Sequence, residues 1–176
     1  MPLQGSRRTM DRGNAEMPTL SANGFTTLFD SHVMDICENL RRVAEEEAQA
    51  ISSPLQNELH EQIVEKFNDF VSSLRDPACS NERAERFQQL VSFLSLHFTF
   101  ENKLMKMVGY PAYEQHKKQH ASFIERINIV VRDIQAGDAS VEELVFFIGH
   151  WLLGHVLFAD KEFGDFQADL PPTAIH

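Results

Sequence analysis

The sequence predicts an all-α protein, an antiparallel up-down-up-down four-helix bundle with an additional N-terminal helix. Three observations lead there. Apolar residues recur at threes and fours through most of the chain, and no stretch shows the alternation of a strand. Prolines and glycines cut the chain into long helical stretches joined by short connections. The 176 residues are enough for one domain with a sizeable core.

Taken in order, residues 1–24 are polar, contain Pro2 and Pro18, and read as a flexible leader. From there Phe25, Phe29, Val33, Ile36, Leu40 and Val43 form a seam that predicts an amphipathic helix over 25–50, fading in "AEEEAQA". Pro54, after the candidate cap Ser53, suits the first turn of a second helix that runs to Leu74 before Asp76-Pro77. A third helix is expected from about Ser80 to Val108, with Gly109 and Pro111 at the turn. The fourth ends at Ala136, where Gly137 offers a left-handed stop. Ser140 and Glu143 form a capping box for a fifth, expected to reach Phe163. The bundle itself is assigned to 53–166, and 167–176, ending in "ADLPPTAIH", reads as a C-terminal tail or linker.

Charge narrows the function. With 26 acidic against 16 basic residues the net charge is -10, which repels phosphate backbones and anionic lipid, so neither nucleic acid nor a membrane surface is expected as partner. No apolar run suggests a transmembrane helix, and the N-terminus carries no signal-peptide core. A cytoplasmic location is the default expectation. Cys37 and Cys79 have no pairing pattern and fit a reducing compartment.

Polar residues interrupt the predicted core on every bundle helix: His60, then His97 and Glu101, then His116 and His120, then His155 and Asp160. The pairs four apart stay within about 40° on one helix face. Depth is the stronger test. Glu101 lies eight residues before Gly109 and His116 seven after, while His97 lies twelve before and His120 eleven after. Residues equidistant from a tight antiparallel turn share a level, so two neighbouring levels of one layer match across this connection. Equivalent counts across Asp138 and Pro77 bring His155 and His60 near that layer. Asp160 is the exception, because five residues beyond His155 is about 140° around a regular helix. A π-bulge at 155–160 is the deformation that would reunite them.

Each position has a plainer reading, as a buried hydrogen-bonded histidine or a surface helical pair worth about 0.2 to 0.5 kcal/mol. Five imidazoles and two carboxylates at one level are not explained by packing, since buried charges are normally paired or bound to metal. Seven donors are too many for one tetrahedral zinc and too nitrogen-rich for calcium or magnesium. They suit two transition-metal ions, with iron or manganese favoured and zinc still open.

The stretches "NELHEQ", "HFTFENKLM", "YEQHKKQH" and "WLLGHVLFADKEF" together resemble the hemerythrin family, in particular bacterial hemerythrins, over about residues 55 to 165. The resemblance implies a bundle holding two iron ions per chain, oxo- or hydroxo-bridged, with O2 as ligand and nitric oxide as an alternative. It implies that His116, His120 and His155 bind one iron, His60 and His97 the other, and Glu101 and Asp160 bridge them. The iron with two histidines would keep an open position for dioxygen. Trp151 resembles the tryptophan that lines the family's oxygen pocket. The chain departs from the family pattern at Asn57, where an aspartate is usual, and in its extra N-terminal helix.

A neutral, imidazole-rich donor set favours reversible binding over oxidation, so the expected function is a non-haem di-iron dioxygen-binding domain and not an enzyme. The extra helix tips the expectation toward an oxygen or redox sensor, with a homodimer contact through that helix and a downstream signalling domain such as a diguanylate cyclase as candidate partners. The alternatives are a stand-alone oxygen carrier or storage protein, or a di-iron oxidase or peroxidase.

Overall fold

The computed structural model of the chain describes the backbone of residues 27–50 and 54–171, and the side chains of 31–46 and 56–171. The expected leader at 1–24, Phe25, the Ser53 cap and residues 172–176 of the tail lie outside the described residues, as does the Phe29 side chain. What is described is helical, with no strand. In order the helices are α1 (Thr27–Ala50), α2 (Pro54–Arg75), α3 (Arg83–Val108), α4 (Tyr113–Ala136), α5 (Val141–Gly154) and α6 (Lys161–Ala168). A 3-10 turn at Pro77–Cys79 precedes α3, and a π turn at His155–Asp160 joins α5 to α6.

The ends of these helices follow from local chemistry. Asp76 accepts from the Ala78 amide at 2.8 Å and caps the 3-10 turn, which delays α3 to Arg83, three residues later than the sequence suggests. Arg83 is buried and donates to the Ser73 and Leu74 carbonyls at 2.8 and 3.3 Å, satisfying the exposed end of α2. Gly137 takes φ of 84°, the left-handed stop expected of it, and Gly109 at the turn after α3 takes φ of 71° and makes another. Ser140 and Glu143 make both bonds of the capping box.

The apolar seam of α1 is consumed within the chain. Val33, Ile36, Cys37, Leu40, Val43 and Ala44 are buried as α1 packs on α2 and α5. The stripe considered for a homodimer contact thus packs on the chain's own bundle. Gly149 allows the close approach, because a Cβ there would sit 2.4 Å from Ile36 Cγ2. A correction concerns Val141–Ala168, which by length and hydropathy alone could cross a membrane although no such run was expected. Its apolar face includes the fully buried Leu144, Val145 and Ile148, which belong to the bundle core.

The core divides in two. A large cluster built on Phe67, Phe70, Leu90, Leu94, Phe123, Ile127 and Ile148 fills most of the bundle, and a small one of Met105, Tyr110 and Phe163 closes the end. Each fully buried aromatic or aliphatic side chain stabilises this arrangement by about 1.5 to 3 kcal/mol. Along α3, Glu101 falls between Phe98 of the first cluster and Met105 of the second. Along α4, His116 and His120 fall between Tyr110 and Phe123. A buried polar layer is thereby held between two apolar plugs.

Candidate metal centre

Each helix delivers its polar residues from a stripe that is otherwise apolar. α2 brings His60, α3 His97 and Glu101, α4 His116 and His120, and the π turn His155 and Asp160. All seven are buried, with Glu101 fully inaccessible. The π turn resolves the awkward spacing, since its wider winding brings residues five apart onto one face. His155 Nε2 lies 3.1 Å from Asp160 Oδ1.

The donors form two groups that share their carboxylates. Glu101, His116, His120, His155 and Asp160 each place one donor atom within 4.8 Å of the others, and so do His60, His97, Glu101 and Asp160. Asp160 is split between them: Oδ1 lies 3.2 Å from His116 Nε2, and Oδ2 3.3 Å from His60 Nε2. Glu101 Oε2 lies 3.3 and 3.4 Å from the Nε2 atoms of His120 and His116, and 3.9 Å from that of His97.

These distances fit metal ions. His116 and His120 Nε2 are 3.1 Å apart, and His120 and His155 Nε2 are 2.8 Å apart. Adjacent donors of an octahedral ion with bonds of about 2.1 Å stand about 3.0 Å apart. Glu101 Oε2 and Asp160 Oδ1 are buried without a well-formed hydrogen bond, a costly arrangement unless a cation completes it. The mixed imidazole and carboxylate set suits iron.

Electrostatics separates the groups. Burial pushes His97 down to about 4, against the pull of Glu101. Burial also opposes the charged form of His116, but the carboxylates of Asp160 and Glu101 beside it outweigh burial and raise the imidazole to about 9. For Glu101, burial and the Asp160 charge are outweighed by His116, His120 and His97, which hold the carboxyl at about 2. Asp160 is likewise held well below the usual range, burial being overcome by His155, His116 and His60.

Several supporting residues carry no signal of their own in the sequence. Asn102 Oδ1 lies 3.2 Å from His120 Nδ1, which leaves Nε2 as the donor aimed into the layer. Phe98 stacks on His120 at 4.0 Å. Gln56, fully buried one turn before His60, donates to Glu101 Oε1 at 3.5 Å. Its position four residues before a candidate ligand was the available clue.

Trp151 stacks on His155 at 4.2 Å and on Phe123 at 3.8 Å, on the side of the three clustered histidines. With His155, Gly154 and the exposed Phe158 it lines an open groove of about 350 Å³. A different, wholly apolar cavity of about 10 Å³ touches His60. Leu40, Val43 and Ala44 of α1, Ile63 and Val64 of α2, Leu152 of α5, and Val156 of the π turn form its walls. His150 is exposed and its Nδ1 bonds to the Phe146 carbonyl at 2.8 Å, apart from the layer.

Comparison with known proteins agrees with this geometry. A model of the hemerythrin HHE cation binding domain matches residues 32–166. Bacteriohemerythrin from Pseudomonas aeruginosa is 34% identical over 109 residues, 60% of this chain and 69% of that protein. Bacteriohemerythrin from Stenotrophomonas maltophilia is 32% identical over the same shares. Myohemerythrin from Theromyzon tessulatum is 28% identical over 108 residues, 59% of this chain and 82% of that protein. No solved structure matches the chain.

Proposed function

Because the chain belongs to the hemerythrin family, whose members bind dioxygen at a di-iron centre, we propose that it is a cytoplasmic oxygen or redox sensor without substrate turnover. His116, His120 and His155 are assigned to one iron, His60 and His97 to the other, and Glu101 and Asp160 to both. When bound, the iron pair supplies the electrons and the open position that reversible dioxygen binding requires. The observation carrying this assignment is the unequal sharing of donors, five residues in one group and four in the other, with both carboxylates common.

The protein's own contribution is positioning and exclusion of water. Asn102 fixes the tautomer of His120, Phe98 and Trp151 cover the three-histidine side, and apolar walls back His60. Trp151, expected to line the oxygen pocket, is assigned instead to covering His155, since it does not border the cavity at His60. The ligand-bearing bundle is assigned to 53–166, with 25–50 as a further helix that packs on it.

The sensor reading is supported by α1, which packs against α2 and α5 and contributes Leu40, Val43 and Ala44 to the cavity at His60. A change at the two-histidine iron would therefore have α1 among the elements in its surroundings. Absorption spectra with and without oxygen, on protein of measured iron content, test binding. Hydrogen exchange in α1 tests sensing: protection should differ between the oxygen-free and oxygenated forms, and identical protection would leave an oxygen carrier as the function.

A further inference from the structure

The two shared carboxylates are held differently. Asp160 meets imidazole nitrogens on both oxygens, those of His116 and His155 on Oδ1 and of His60 on Oδ2. Glu101 meets imidazoles on Oε2, while Oε1 accepts from the amide Nε2 of Gln56 at 3.5 Å. Gln56 is only 1% exposed. Burying a primary amide is unfavourable unless it is hydrogen-bonded, and an aliphatic residue would fill the same face of α2 more cheaply.

We propose that Gln56 is a positioning residue for Glu101, fixing the plane of its carboxylate and raising the reduction potential of the metal centre that Glu101 serves. An amide N–H that donates to a carboxylate oxygen draws negative charge from it and orients it. The carboxylate then stabilises the oxidised metal less, because outer hydrogen bonds tune the donor strength of a ligand. α2 in this way supplies a candidate ligand, His60, and one turn earlier the group that adjusts the shared carboxylate. The inference rests on the reading of Glu101 as a bridging ligand.

The test uses the full chain loaded with iron. Two irons per native chain, with the charge-transfer absorption of a bridged pair, establish the underlying reading; fewer than two would sink that reading and this inference with it. Gln56→Leu should keep two irons while its reduction potential, followed by dye-equilibrated spectroelectrochemistry, falls and its charge-transfer bands shift. Gln56→Met, of similar length and without a donor, should show the same changes and serves if the leucine variant folds poorly. Gln56→Asn, too short to reach Oε1, should behave like leucine. Native potential and native bands in a fully loaded Leu or Met variant would overturn the inference and leave the di-iron reading intact. Loss of iron in both would overturn it too, by making Gln56 a determinant of loading.

Discussion

The two halves of the polar layer differ in how firmly they are held. The three-histidine half is tightly braced, with His120 tethered by Asn102 and stacked by Phe98, and His155 stacked by Trp151. On the two-histidine side, His97 Nδ1 meets no hydrogen-bond partner among the described residues, and His60 borders an apolar cavity walled partly by α1. The first half is the more closely packed, and the second borders a cavity of about 10 Å³, at the lower limit for a single water. Rigid bracing secures a metal, whereas exchange of a small ligand needs a site whose surroundings leave space.

The largest expected effect removes what the halves share. Glu101→Ala should lower affinity for both ions by more than ~100-fold, above the ~10–100-fold that loss of an outer partner costs. Metal analysis after dialysis checks this, and retention of one full ion would show that Glu101 serves a single half. Asn102→Ala should weaken binding by ~10–100-fold, confined to the three-histidine half. Cobalt titration of the metal-free chain would then give one weakened step and one normal step, and equal weakening of both would break the proposed division.

Gly149→Ala addresses the opposite half. A Cβ 2.4 Å from Ile36 Cγ2 forces α1 away from α5, so stability to urea should fall by about 1 to 3 kcal/mol. The loss should be smaller when measured in an Ile36→Ala background, because the clashing atom is gone. Oxygen binding should change in the variant while metal content does not.

The smallest step is that of a single pH unit. In the metal-free chain His116, raised to about 9, holds a proton at neutral pH that an incoming ion must displace. Metal affinity should therefore rise by about tenfold per pH unit up to about 9 and flatten above it. His97, lowered to about 4, is already neutral there and adds no such slope until the pH falls to that range. The raised His116 stabilises the metal-free fold fully below about 6.5, and this contribution is lost as pH rises through about 9. Calorimetry in buffers of different ionisation enthalpy would count the proton; an uptake independent of pH between 7 and 9 would contradict the assignment of His116.

The sequence by itself determined the helices, their stops and the order of the polar residues, because helical period, glycine stops and capping boxes are local properties of the chain. It also pointed to the π turn, since His155 and Asp160 stand five apart and a regular helix separates them by about 140°. Depth counting across the turns placed His60, His97, Glu101, His116, His120 and His155 near one level, and the structure brings these and Asp160 into one buried layer. Only the tertiary structure decided that the α1 seam is spent on α2 and α5, that Trp151 lies against His155, and that Gln56 and Asn102 reach Glu101 and His120. These depend on the rotation of each helix about its axis and on the distance between neighbours. Interdigitating side chains set both, and no spacing along a single helix encodes them.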